Sequence, residues 1–247
     1  MNNIDVLILD IKGKFAHFRK FYTNSSSLSY SVPPRTTIEG IIAAILGYER
    51  DSYYEKLCKK NFNIAVRKMK STRKIMQSLN YIKATKKDSV YTIGEGHTQI
   101  PFELITSDEV VHYRVYLSSV DNKIIDNIEK RAKQNKYIYA PYLGAAPFNC
   151  YIDYVDRIKG TIDKTDKSVE ISTLINSSCI SECCIDLKRK DLFLVKEKMP
   201  SDILKNRVIG EINSYIYDEN GSSLNVVLNS EFVKLNYKDC IENIIFM

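Results

Sequence analysis

VLILDIKGKFAHFRKFYTNSSSLSYSVPPRTTIEGIIAAILG, residues 6–47, decides how the chain is read. Val6 to Ile11 is a short apolar run of β-type side chains, the pattern of a buried strand, and Lys12, Gly13 and Lys14 turn it off. Residues 12–36 are too rich in Ser, Asn and aromatic side chains for a helix and end in Pro33 and Pro34, so they read as a long loop, a length that usually carries function. Thr36 and Glu39 then have the spacing of a capping box, and IEGIIAAILG follows with Gly47 at the stop position. The helix so predicted is apolar almost all round and has to be buried against a sheet. Its N-terminus, with Arg35, is expected to offer N–H groups to a phosphate, although Glu39 opposes an anion there.

Outward from this segment, a second helix is expected at about Ser52–Lys60 and a strand at Asn63–Lys68, with Ile64 and Val66 facing the core. Weak alternation over 70–96 reads as a protruding hairpin, one arm at Tyr81–Lys83 and the other at Val90–Thr92. Thr98–Ile105, Val110–Leu117 and Phe148–Tyr154 read as strands, and Asp121–Gln134 as an amphipathic helix with Ile124, Ile125 and Ile128 inward. The order strand, helix, strand, insertion, strand, helix, strand is a split βαβ, ferredoxin-like layout, and the fold class is α+β. Beyond about residue 160 the pattern changes to short strands: Cys179–Leu187, Asp191–Glu197, and a hairpin of Glu211–Tyr217 with Leu224–Leu228 joined through Asn220 and Gly221. Two domains are expected, 1–160 and a smaller β-rich 161–247, with the hairpin insertion at about 70–100.

Charge is unevenly placed. Residues 1–150 hold 23 Lys and Arg against 14 Asp and Glu, whereas 151–247 hold 13 against 16, so the N-terminal part alone carries the positive field. Lys56 to Lys87 contains eleven basic residues and no acid, which points toward a polyanion or, more plainly, toward a solvated lysine-rich face. The start, MNNIDVLILDIKGK, has no secretory pattern, and the longest aliphatic run is Ile41 to Leu46, so a soluble cytoplasmic protein with no membrane partner is expected. Six cysteines form no CxxC pair and read as reduced thiols.

There is no P-loop, dinucleotide glycine fingerprint or GxSxG elbow, and the three histidines, His17, His97 and His112, are too far apart for a local metal motif, so no cofactor or metal is expected. His112, in a strand with apolar neighbours, reads as structural. His17 lies among Phe15, Phe18 and Arg19, which combine stacking faces with charge, the means by which single-stranded RNA is held. Anchoring of the loop by Phe15 and Phe18 is the competing reading.

These residues carry a resemblance. LDIKGKFAHFRKFYTNSSSLSYSVPPRTTIEGIIAAILG, residues 9–47, resembles the N-terminus of the Cas-five family of CRISPR-associated proteins, with PPRTT before a small-residue helix as the most specific part. His97–Leu104, Pro141–Gly144 (PYLG) and Glu197–Asp202 (EKMPSD) are similar to the same family. The resemblance implies the repeat-associated (RAMP) superfamily: an RRM-like N-terminal domain, a β-hairpin thumb and a smaller β-rich domain. It implies a non-catalytic subunit of a type I Cascade complex, of subtype I-B, that caps the 5′ handle of CRISPR RNA. The partners implied are the large subunit and the nearest backbone subunit, with target DNA met only through the complex. Carried onto this chain, the RNA-binding residues are Lys14, His17, Phe18 and Arg19, then Tyr30, Arg35 and Thr36 at the helix start, and Arg73, Lys74, Tyr81 and Lys83 in the thumb, with Arg114 and Tyr142 besides. One branch of the family is a metal-independent endoribonuclease processing precursor RNA, and His17 with Lys14 or Tyr30 is the cluster expected to serve such an acid–base reaction here. A generic nucleic-acid-binding protein is the third reading.

Overall fold

The computed structural model describes residues 3–82, 97–238 and 240–247. Strand β1 (Asn3–Gly13) leads into a short pair, β2 (Phe18–Arg19) and β3 (Ser29–Tyr30), then helix α1 (Arg35–Leu46) and β4 (Phe62–Lys68). Strands β5 (Arg73–Ile82), β6 (His97–Thr106) and β7 (Val111–Ser119) follow, then helix α2 (Asn122–Gln134) and β8 (Tyr151–Asp163). The rest is strand and turn: β9 (Val169–Ile171), β10 (Ile175–Asn176), β11 (Ile180–Ile185), β12 (Leu194–Pro200), β13 (Ile212–Asp218), β14 (Leu224–Leu228), β15 (Phe232–Tyr237) and β16 (Cys240–Ile244).

A six-stranded antiparallel sheet, in the order β16-β15-β8-β1-β7-β4, organises the molecule. Because side chains alternate along β1, the strand feeds two cores. Leu7, Leu9 and Ile11 pack with Ile38, Ile41, Ile42 and Ile45 of α1 and Ile125 and Ile128 of α2. Each isoleucine so buried contributes roughly 1.5–3 kcal/mol. Val6 and Ile8 point the other way, into a cluster with Ala65, Tyr116, Val233, Leu235 and Ile244. Strands from both ends of the sheet meet in that cluster, so the sheet is curled into a half-barrel. The backbone closes it further: Met247 N–H donates to the Ile64 carbonyl at 2.9 Å and Leu174 N–H to Val66 at 2.9 Å, covering the exposed edge of β4.

Several expectations are corrected by packing. No capping box forms at α1. Pro34 occupies the N-cap with no side-chain bond, and Glu39 turns instead to the buried Arg35 one turn behind it. The C-terminal stop does form, with Gly47 left-handed at φ +77°. Residues 52–60 make successive turns rather than a helix, because only Tyr54 and Leu57 find the core. The segment 98–105 lies outside the six-stranded sheet: β6 pairs along its whole length with β5, from Arg73 opposite Thr106 to Ile82 opposite His97. The expected arm at Val90–Thr92 falls outside the described residues. Residues 211–217 and 224–228 form no hairpin with each other. β13 joins β10 and β12, while β14 joins β9 and β11. The Asn220–Gly221 turn between them crosses from one sheet to the other, with Gly221 at φ +84° against the Lys68 carbonyl.

Candidate nucleic-acid interface

The loop after β1 is laced to β6. Ala16 and Ile105 exchange both backbone hydrogen bonds at 2.9 Å, Ser27 N–H donates to Pro101 at 2.8 Å, and Glu103 N–H donates back to Ser27 at 2.9 Å. A second clamp comes from the segment after α2, where His17 N–H donates to the Leu143 carbonyl at 3.0 Å. Gly144 follows with φ +84°, so close to the His17 carbonyl that a Cβ there would sit 2.0 Å away. These contacts gather Lys14, His17, Phe18, Arg19 and Tyr30 beside the root of the β5–β6 hairpin. Lys74 ties that root down, its Nζ donating to Ser29 O at 3.0 Å and to Glu103 Oε2 at 3.2 Å.

The gathered side chains divide into faces and supports. Lys14 and Arg19 are exposed. His17 is buried: its ring stacks on Phe102 with centroids 3.9 Å apart, Nδ1 faces Glu103 O at 2.7 Å, and Nε2 faces Ser27 Oγ at 2.9 Å. Burial lowers its pKa from the ordinary histidine value. With both nitrogens engaged and the ring buried, it is not offered to a substrate as a proton shuttle. Phe18 is closed inside against Tyr113, and Tyr30, also inside, donates its hydroxyl to Lys198 O at 2.6 Å, burial holding the phenol well above its ordinary range.

Among the described residues Arg35 is the largest fully buried side chain. Its guanidinium meets Glu39, Asp202 at 3.0 Å, and the carbonyls of Ser201, Leu57 and Phe62 at 3.1, 3.0 and 2.5 Å. It therefore locks α1 to the 57–62 turn and the end of β12. Thr36 beside it is partly exposed. Arg114 faces the curled side of the sheet, where it grips Asp10 with two bonds of 2.7 and 3.0 Å and reaches the Tyr237 hydroxyl at 3.1 Å. Burial alone raises the Asp10 pKa, but His112, with Nε2 3.1 Å from Oδ2, and the two Arg114 bonds outweigh it and hold the carboxyl well below its usual range. Neither Arg35 nor Arg114 joins the loop cluster.

Of the paired strands, β5 is exposed throughout, whereas β6 is buried toward its C-terminal end. All ten residues of β5 are exposed, among them Arg73, Lys74 and Tyr81 and the apolar Ile75, Met76, Leu79 and Ile82. Lys83 lies outside the described residues. Sequence reading missed the apolar side chains, which fall at 75, 76, 79 and 82 without the two-residue period of a half-buried strand. It also missed Phe21 and Tyr22, edge to face at 5.1 Å and both exposed. Lys20 was missed as well. Burial disfavours its charge, but Glu197 at 2.6 Å outweighs burial and raises its pKa. Tyr142 is half exposed and lines an open groove on the other side of Gly144.

A family model described as CRISPR-associated protein (Cas_Cas5) matches residues 6–201. The chain belongs to the Cas5 family of CRISPR-associated proteins. Its fold is similar to that of a CRISPR protein from Archaeoglobus fulgidus, at 13% identity and TM-score 0.54, with 97% of this chain and 98% of that one covered. It is similar also to a chain of a CRISPR RNA-guided surveillance complex, at 14% identity and TM-score 0.51, with 91% of each chain covered. Comparison with curated proteins finds no match. Among the described residues of this Cas5 chain no helix is long and apolar enough to cross a membrane, and no group of His, Cys, Asp and Glu is arranged to hold a metal ion.

Proposed function

We propose that this Cas5 protein is a non-catalytic subunit of a type I Cascade complex, of subtype I-B, that binds and caps the 5′ handle of CRISPR RNA. The carrying observation is the β5–β6 hairpin: ten consecutive exposed residues combine basic, aromatic and aliphatic side chains in a two-stranded element. Such an element is marginal in water by itself and presents apolar side chains that need a cover. Phosphates on Arg73 and Lys74, a base on Tyr81 and neighbouring subunits on Ile75, Met76, Leu79 and Ile82 meet both needs. Lys14 and Arg19 extend the same face. Phe18, Tyr30, Arg35 and Arg114 act in this reading by holding the loops and sheet that carry it.

An RRM-like unit of 1–160 with the hairpin as its thumb is supported by the strand order β8-β1-β7-β4 with two helices on one face. The smaller unit, 161–247, is supported by the two three-stranded sheets between 169 and 228, and supplies Glu197 and Lys198 behind the RNA face. The large and backbone subunits are the partners we assign to the apolar hairpin surface, with target DNA met through the complex. Incubation of the purified protein with repeat-containing RNA in EDTA tests the reading. Binding with the RNA intact is expected; cleavage at a defined repeat position would establish the endoribonuclease reading instead.

A further inference from the structure

A second surface lies on the far side of Gly144. An open groove of about 920 Å3 runs along α1, between the turns after that helix, the segment after α2 and the turn at 203–207. Its floor is made of the small residues Gly40, Ala43 and Ala44, and its walls hold five tyrosines. Tyr53 and Tyr54 lie with ring centroids 4.9 Å apart, Tyr48 carries Lys56 Nζ 4.6 Å over its ring, and Tyr139 and Tyr142 opposite them are 52% and 45% exposed.

The charged groups are arranged as well. Asp51 accepts the Tyr54 hydroxyl at 2.5 Å and faces Arg207 Nε with both oxygens, at 3.0 and 3.3 Å. Held through Nε, Arg207 keeps its two terminal nitrogens without a hydrogen bond among the described residues. Arg50 stands beside Asp51 with 78% of its side chain exposed. The lining thus sets two guanidinium groups against one carboxylate. Asp51, Asn206 and Arg207 all have positive φ, between 59° and 64°, a cost that surrounding contacts must hold in place.

We infer that this groove takes unpaired nucleotides, with bases stacked on the tyrosine rings and a phosphate at Arg207 and Arg50. The composition selects this occupant. Flat rings and hydroxyl donors on a small-residue floor accept any base face, and free guanidinium ends match phosphate geometry. A cavity of this size holds one or two nucleotides. The groove is also continuous with the loop face, since Gly144 borders the groove and packs on the His17 backbone. The inference rests on the RNA-binding reading and adds to it a second seat for the same strand, away from the hairpin.

The test uses the full chain, a fluorescent unstructured 12-nucleotide RNA, the same oligomer with abasic sugars, and AMP. Tyr139→Ala with Tyr142→Ala should weaken binding of the base-containing RNA about five-fold or more and leave the abasic oligomer unchanged. Ala44→Phe, which fills the floor and keeps all five tyrosines in the chain, should likewise weaken binding of the base-containing RNA, and it decides the matter if the tyrosine pair does not fold. AMP binding to the wild type, lost in these variants, would support the seat with a free nucleotide as its source. If Arg73→Ala with Lys74→Ala weakens RNA binding and the groove variants do not, the groove assignment falls and the RNA-binding reading stands. If the wild type binds neither this RNA nor AMP, the groove assignment falls; the RNA-binding reading falls only if a handle-bearing CRISPR RNA is not bound either. Unchanged RNA binding with loss of association to a protein subunit overturns the nucleotide assignment in favour of a docking groove.

Discussion

Replacing Arg35 by Ala separates the structural account from one in which every PPRTT residue touches RNA. The guanidinium is 0% exposed and meets two carboxylates, Glu39 and Asp202, and three carbonyls. Removing it leaves Glu39, itself 1% exposed, as a buried carboxylate without its partner. Breaking a buried pair in this way costs about 3–5 kcal/mol. Each carbonyl left without a donor adds about 1 kcal/mol where water does not reach it. For a domain of this size about 3–5 kcal/mol corresponds to a fall in Tm of roughly 6–20 °C. Urea denaturation followed by circular dichroism measures it as a lower midpoint. Arg35→Met with Glu39→Met, which removes both charges together, should recover much of the loss, because an apolar pair of similar volume needs no partner. An Arg35→Ala protein with an unchanged urea midpoint and a lost affinity for RNA would refute the structural assignment and return Arg35 to the RNA face.

Arg73→Ala with Lys74→Ala should weaken binding of a handle-bearing RNA and flatten its salt dependence by about 1.4 in the slope of log K against log salt, since each lost single-strand phosphate contact contributes about 0.7. The melting temperature should fall only modestly: the exposed Arg73–Asp108 pair contributes about 0–1 kcal/mol, and the Lys74 bonds to Ser29 O and Glu103 add about 1–2 kcal/mol. Gly144→Ala should destabilise strongly, seen by thermal melting, because its Cβ would meet the His17 carbonyl at 2.0 Å from a φ of +84°. Asp10, whose pKa lies below its unfolded value, contributes stability that is present above the ordinary carboxylate pKa and is lost as pH falls through the folded value. Asp10→Asn should therefore lower the urea midpoint at pH 7 and narrow its gap from the wild type as the pH is taken down from about 5.

Local patterns located β1, α1, β4, β7 and α2 from the sequence, because the strands and α1 are apolar runs, α1 with Gly47 as its stop, and α2 has the helical spacing of Ile124, Ile125 and Ile128. Partnership between segments was less legible. Nothing in the spacing of Glu39 distinguishes a cap from a buried pair with Arg35, since that choice is made by Leu57, Phe62 and Asp202 closing over the guanidinium. Asn220 and Gly221 look like a hairpin turn, yet the strands beside them enter different sheets because Asp218 and Gly221 are held against Phe193 and Lys68. In the candidate site, Lys14, Arg19, Arg73, Lys74 and Tyr81 were legible as charge and aromatics near one another in sequence. Burial of Phe18, Tyr30 and Arg35 was not, because it depends on distant partners: Tyr113 for Phe18, Lys198 for Tyr30, and Phe62, Ser201 and Asp202 for Arg35. The tyrosine groove was invisible for the same reason: it draws on residues near 48, 140 and 205, which only the fold brings together.

In the proposed role this Cas5 chain holds one RNA end without cutting it. Its most direct test is a titration of a 5′-labelled CRISPR RNA carrying its handle, in EDTA, against the same RNA with the handle deleted, with the products run on a denaturing gel. The account predicts clear preference for the handle-bearing RNA and full-length RNA on the gel. Equal binding of the two, or a defined cleavage product, would contradict it.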